Sequence, residues 1–184
     1  STNGPVAINQ ALYQNMPYDA MNDLAPISLL VTAPQILVVG NDVPVKDVKD
    51  FVDHARKNPG KMSYGTTGNG SASHLTMEDL KLREKLDIVH VPYRGFPMAV
   101  GDLTTGQIQT MFAIATGVLP HISAGKMKGI AITGAKRSAA APDTPTMVER
   151  GYQGLGSYAW IGLLAPAKTP HEILAKLSEA TMKA

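Results

Sequence analysis

Residues 64–74 read Tyr-Gly-Thr-Thr-Gly-Asn-Gly-Ser-Ala-Ser-His, three glycines within a run of small hydroxyl-bearing residues. This stretch constrains the fold more than any other. A short apolar segment precedes it and a helical pattern follows, so it reads as a strand end turning sharply into a helix start. Gly65, Gly68 and Gly70 lack the Cβ that would hinder a positive φ or the approach of a ligand to the backbone. Thr66, Thr67, Ser71 and Ser73 set hydroxyls beside the N–H groups of the first helical turn, which have no carbonyl partner within the helix. Open amides at the positive end of a helix dipole form a cradle for an anion. The same residues also fit a tight turn that holds nothing.

The rest of the chain alternates between the two periodicities. A helix is predicted near Val6–Gln14, and two short strands at Pro26–Val31 and Gln35–Gly40, broken at Ala33-Pro34. Pro44 introduces a helix whose apolar positions Val48, Phe51, Val52 and Ala55 follow the i, i+3, i+4, i+7 spacing, stopped by Asn58-Pro59-Gly60. Lys61–Thr66 is the strand feeding the glycine loop, and Ser71–Arg83 the helix leaving it, with Ala72, Leu75 and Leu82 on one side. Strands then follow at Asp87–Val91, Gln107–Ala113, Lys128–Thr133 and Ser157–Leu164. Helices are expected at Pro97–Thr104, Val118–Ser123, Thr146–Arg150 and Pro170–Met182, the last with Ile173, Leu174 and Leu177 inward. Strands separated by helices predict an α/β fold with a mostly parallel sheet. In open sheets of that kind ligands sit at the carboxyl ends of the strands, where the glycine loop falls.

Composition removes several function classes. Seventeen basic and 15 acidic residues leave a formal charge of +2, with no basic run longer than Lys136-Arg137, so nucleic acid is not an expected partner. The chain contains no cysteine, which excludes thiol catalysis and zinc–thiolate sites. No apolar run reaches the length of a membrane span.

Each chemical motif has a competing reading. The glycine loop lacks the Lys-Ser/Thr of a phosphate-binding P-loop. Gly68-Asn69-Gly70 is half of a dinucleotide fingerprint, with Ala72 where the pattern would continue, so no cofactor is implied. Ser71 and His74 could form a nucleophile and base acting on an anionic substrate, yet no nucleophile elbow surrounds them. The alternative makes Ser71 the helix cap and leaves His74 in the first turn. His74 and Glu78 are i, i+4, without a third metal ligand in view. A second constellation, Val91-Pro-Tyr-Arg-Gly-Phe-Pro97, supplies the ring and hydroxyl of Tyr93 and the guanidinium fork of Arg94. Asp102 follows on a helix, where it is expected to organise neighbouring backbone. A third strand end, Ala113-Ile114-Ala115-Thr116, opens toward a helix with Thr116 as its cap.

These segments share an order. Tyr64–His74, then Val91-Pro-Tyr-Arg-Gly95, Asp102-Leu-Thr-Thr-Gly-Gln107, Ala135-Lys-Arg-Ser-Ala139 and Pro142-Asp-Thr-Pro-Thr146 together resemble the Bug (TctC-like) tripartite tricarboxylate transporter receptor family. Ala7-Ile-Asn-Gln-Ala-Leu-Tyr13, Leu24-Ala-Pro-Ile27 and Trp160-Ile-Gly-Leu-Leu-Ala-Pro166 extend the likeness across the chain. The resemblance implies a type II periplasmic-binding-protein architecture: two α/β lobes of mostly parallel sheet flanked by helices. It implies a periplasmic receptor, not an enzyme, that takes a small carboxylate to the membrane components of its transporter. Gly65, Thr66, Thr67, Gly68, Asn69, Gly70, Ser71 and His74, with Tyr93, Arg94, Ala113, Ile114, Ala115 and Thr116, would then line one wall of the ligand cleft. Arg94 departs from the Pro-Tyr-Lys-Gly turn of the family. The family's other lobe has a Pro-Gly-Gly-type loop after its first strand, and this chain aligns beyond it. The expected division is therefore a partial first lobe at 1–40, a second lobe at 41–155 and a return to the first at 156–184. A ligand-sensing effector domain of similar architecture is a further alternative.

Overall fold

The computed structural model describes residues 1–183. By packing, the chain forms two compact units, Ser1–Thr32 with the chain from Ala159 on, and Ala33–Tyr158. Residues 33–40 and 156–158 thus group with the larger unit and not with the flanking segments. Their backbone explains it: residues 35–39 ladder with two strands of that unit.

The larger unit is a five-stranded sheet between two helical layers. Its strands are the second half of β1 (Leu24–Val39), β2 (Ser63–Thr66), β3 (Val89–Pro92), β4 (Thr110–Ile114) and β5 (Lys128–Ile132), in the order β3-β2-β4-β1-β5. β2 runs parallel to β3 and β4, and β1 runs antiparallel to β4 and β5. Four strands therefore share one direction and only β1 opposes them. The mostly parallel sheet is as expected, with β1 the antiparallel strand in its interior.

Both faces are covered, which is why Gln35–Val39 is buried without interruption. Alternate side chains go to opposite faces. Leu37, Val39, Tyr64 and Phe112 pack with Val48, Phe51, Val52 and Ala55 of α2 (Val48–Lys57) and with Met77 and Leu80 of α3 (Ala72–Glu84). Ile36, Val38, Met111 and Ala113 pack with Ala99, Val100 and Leu103 of α4 (Phe96–Thr104) and with Ala115 and Val118 of α5 (Ala115–Ser123). Asp47 caps α2, its side chain accepting the Asp50 N–H at 2.9 Å.

The smaller unit contains a π-helical turn (Gly4–Ile8), the short α1 (Asn9–Leu12), the first half of β1, all but the first residue of β6 (Tyr158–Pro166), which pairs with β1, and α6 (His171–Lys183). Here three expectations need correction. The predicted Val6–Gln14 helix is a π turn followed by one α turn. The two short strands are one, because Pro34 precedes the ladder that starts at Gln35 and its missing N–H removes no bond from it. In α6 none of the described residues is buried: Ile173 is 48% and Leu177 40% exposed, so its apolar stripe does not face inward.

A fourth correction concerns α3. Its buried face is Ser73, Thr76, Met77 and Leu80, while Leu75 and Leu82 are exposed. Two hydroxyl residues hold inward positions because their oxygens are hydrogen-bonded there, so the apolar positions misreport the packing face. Among the described residues no helix is long and apolar enough to cross a membrane.

Candidate functional site

The parallel strands β3, β2 and β4 run the same way, with Thr66 opposite Pro92 and Gly65 opposite Met111, three residues before the end of β4. Three loops therefore leave the same edge of the sheet: Thr66–Ser71 into α3, Tyr93–Gly95 into α4, and Ile114 directly into α5. The elements of the sequence reading are brought together, but the residues play different parts.

Gly65 lies in the sheet and is buried. A Cβ there would come within 2.4 Å of Ile108 Cδ1 and 3.3 Å of the Tyr93 ring. Its missing side chain thus makes room for protein, not for a ligand. Gly68 and Gly70 carry φ of 118° and 72°, the left-handed region that admits glycine readily. They make the turn.

The hydroxyls shape the loop. Thr66, fully buried, accepts the Gly68 N–H at 3.2 Å and stands 2.7 Å from His90 Nε2. Ser71 is the cap of α3: its Oγ accepts the His74 N–H at 3.3 Å, donates to the Gly68 carbonyl at 2.7 Å and lies 2.9 Å from Ser73 Oγ. Ser73 Oγ accepts the Thr67 N–H at 3.4 Å. His74 Nδ1 accepts the Gly70 N–H at 3.2 Å. Ser71 and His74 are therefore engaged separately with backbone, and no side-chain bond joins them as nucleophile and base among the described residues. What remains outward is Thr67 and Asn69, while the first-turn amides of Ala72 and Ser73 have by position no intrahelical acceptor.

In the second loop Tyr93 donates its backbone N–H to the Thr66 carbonyl at 3.0 Å and its hydroxyl to Asp102 Oδ2 at 2.7 Å. Burial and that carboxylate push the Tyr93 phenol up to about 12, so it remains a donor throughout the neutral range. Asp102 anchors Tyr93 with its carboxylate, which corrects the expectation that it organises backbone. Arg94 is exposed and forms no ion pair among the described residues.

In the third loop Ala113 and Ala115 are buried, and Ile114 is 37% exposed. The cap position of α5 is Ile114 and no side chain caps the helix, so Thr116, second in the helix, is not its cap. The consequence is chemical: the first-turn amides of α5 are left without side-chain acceptors at the edge where α3 also begins. Gly117 keeps this turn close to the second loop, since a Cβ there would meet Phe96 Cζ at 2.8 Å.

The loop stands on polar support that the sequence reading did not single out. Gln35, 1% exposed, donates from Nε2 to Thr76 Oγ1 at 2.9 Å and to Ser157 Oγ at 2.8 Å. Its backbone N–H reaches Thr133 Oγ1 at 2.9 Å, and Thr133 donates to the Ser157 carbonyl at 2.5 Å. One signal was visible: a glutamine heading the apolar run Gln35-Ile-Leu-Val-Val39. His90 was likewise missed as a partner of the loop. Glu78 accepts from Tyr64 Oη at 2.5 Å and Lys81 Nζ at 2.6 Å. No group of three or more metal-ligating side chains occurs among the described residues.

A three-layer α/β lobe with helix amino ends gathered at the carboxyl edge of its strands has the build of a solute-binding lobe. The chain belongs to the tripartite tricarboxylate transporter receptor family, TctC, whose model matches residues 2–184. It is 30% identical over 178 residues to BugT of Bordetella pertussis, covering 97% of this chain and 55% of that protein. It is also similar to a structure described as a periplasmic transporter, at 37% identity and TM-score 0.95, covering 100% of this chain and 61% of that one. MatC of Rhodopseudomonas palustris, solved with bound malate, matches at 30% identity and TM-score 0.93, over 100% of this chain and 62% of its own. The chain thus spans between about half and three fifths of the length of these proteins.

Proposed function

We propose that the protein is a periplasmic receptor that binds a small carboxylate and presents it to the membrane components of a tripartite tricarboxylate transporter. One observation carries this reading: the amino ends of α3 and α5 leave neighbouring parallel strands at one edge, and α5 has no side-chain cap. Unpaired amides at two dipole ends suit an anion with two acceptor oxygens. The first-turn amides of α3 and α5 would meet the common carboxylate, at a wall shaped by Gly68, Gly70, Ser71, Ala113, Ile114 and Ala115. Thr67, Asn69, Arg94 and Thr116 would read the rest, while Gly65, Thr66, His74 and Tyr93 hold the shape. In this reading the larger unit is the family's second lobe and the smaller one belongs to its first. Family membership supports the transport role, and the malate held by MatC supports the ligand class.

The reading is one of capture, not chemistry, and magnitudes limit it. Charge-assisted hydrogen bonds contribute about 1.5–3 kcal/mol each, against an association cost of roughly 4–15 kcal/mol. One edge alone supports about millimolar affinity, and micromolar binding, about −8 kcal/mol, requires further groups around the ligand. Isothermal titration of the protein with malate, longer dicarboxylates, citrate, amino acids and aromatic acids tests the proposal. Binding of at least one of these, abolished by esterifying the ligand, is expected. Binding of a nucleotide or neutral sugar while every carboxylate fails would overturn it.

A further inference from the structure

We propose that His74 and His90 are a stacked positioning pair that holds the glycine loop in its binding shape, and that protonation of His74 releases the hold. What the loop binds rests on the carboxylate reading above; how it is held does not.

The two rings support the two glycines of positive φ. His74, in the first turn of α3, accepts the Gly70 N–H on Nδ1 at 3.2 Å, which puts its proton on Nε2. His90 lies in β3 opposite Tyr64, and its Nε2 is 2.7 Å from Thr66 Oγ1, the oxygen that takes the Gly68 N–H at 3.2 Å. The two imidazoles are 4.2 Å apart and 20° from parallel, and the Tyr64 ring is 4.9 Å from His90. Movement of either ring therefore reaches the loop through a hydrogen bond and reaches the other ring through the stack.

The surroundings favour neutrality. The titratable and charged groups facing the pair are Tyr64 on β2, Glu78 and Lys81 on α3, and each histidine for the other. Glu78 is the one carboxylate among them, and it already accepts from Tyr64 and Lys81. Lys81 Nζ, 5.2 Å from the centre of the Tyr64 ring, adds like charge. Burial is the main cause that holds both rings below the ordinary histidine range, with His74 adding to the effect on His90, and the Glu78 carboxylate opposes it at both without prevailing. Protonating His74 would place a second donor on Nδ1 where the Gly70 N–H already points, and that bond is lost.

The test is an NMR titration of labelled protein from pH 8 to pH 4.5, following the imidazole nitrogens and the amides of Thr66, Gly68 and Gly70. At pH 8 His74 should show an unprotonated Nδ1 and Gly70 a protected amide. The Gly70 protection factor should then fall by about tenfold or more in step with the rings. His74→Phe, which keeps a ring and removes the acceptor, should leave Gly70 unprotected at every pH; should that variant not fold, the wild-type titration decides alone. Malate affinity measured in parallel should weaken by about tenfold between pH 7.5 and pH 5. A Gly70 amide indifferent to ring titration would sink the proposal. So would malate binding that tightens on acidification, because the rings would then act as direct cationic ligands. Malate failing to bind at any pH, while Gly70 follows the rings, would support the pairing and exclude malate alone among the candidate carboxylates.

Discussion

Gly65 and Gly70 sit five residues apart and are glycine for different reasons. Gly70 has a φ of 72° and belongs to the turn, whereas Gly65 is extended sheet backbone pressed between Ile108 and Tyr93. The distinction has a measurable consequence. Gly65→Ala inserts a methyl into filled space and should destabilise the fold by about 1–3 kcal/mol. A lowered urea midpoint with an unchanged slope would register it. Should Gly65→Ala instead leave stability intact and abolish malate binding, Gly65 would be a ligand contact after all. Thr66 was likewise read as a loop hydroxyl available to a ligand, and its zero exposure assigns that oxygen to Gly68 and His90.

At the scale of elements, α3 shows how a helix can face the core with polar residues. Thr76 donates to the Ala72 carbonyl at 2.7 Å and accepts from Gln35, so its hydroxyl is satisfied at both ends. Gln35 in turn links β1, α3 and Ser157, the residue before β6. Gln35→Leu keeps the volume but leaves the Ser157 hydroxyl short of a donor and Thr76 with one partner fewer. Its expected cost is roughly 1–3 kcal/mol, readable by denaturant unfolding. Equal stability of the leucine variant would mean that water replaces the amide. The periodicity of α2 was legible because Val48, Phe51, Val52 and Ala55 are both apolar and inward. That of α3 was not, because Ser73 and Thr76 are buried through hydrogen bonds that only distant residues supply.

For the whole molecule, stability should depend on pH with a definite sign. His74 and His90 are held below their ordinary value of 6.5, so the unfolded chain binds protons that the folded chain refuses. Their contribution is fully present above pH 6.5 and is lost as pH falls from there through the lowered folded values. Glu78 is depressed below 4.5, burial opposing but the bonds from Lys81 and Tyr64 prevailing, and its contribution is lost only as pH drops further. Urea midpoints measured from pH 8 to pH 4 should therefore be flat above about 6.5 and decline below it. A midpoint unchanged down to pH 5 would remove the histidines from the balance. The α/β class, the strand-to-helix position of the glycine loop, the Ser71 cap and the family were all legible in the chain itself. They depend on neighbours in sequence: spacing, turn chemistry and motif order. The single antiparallel strand, the packing role of Gly65, the uncapped start of α5 and the Gln35 and His90 supports were decided only by tertiary structure. The antiparallel strand, the Gly65 packing and the Gln35 and His90 supports each depend on a partner far along the chain, and no local pattern records which distant atom fills a gap or accepts a proton.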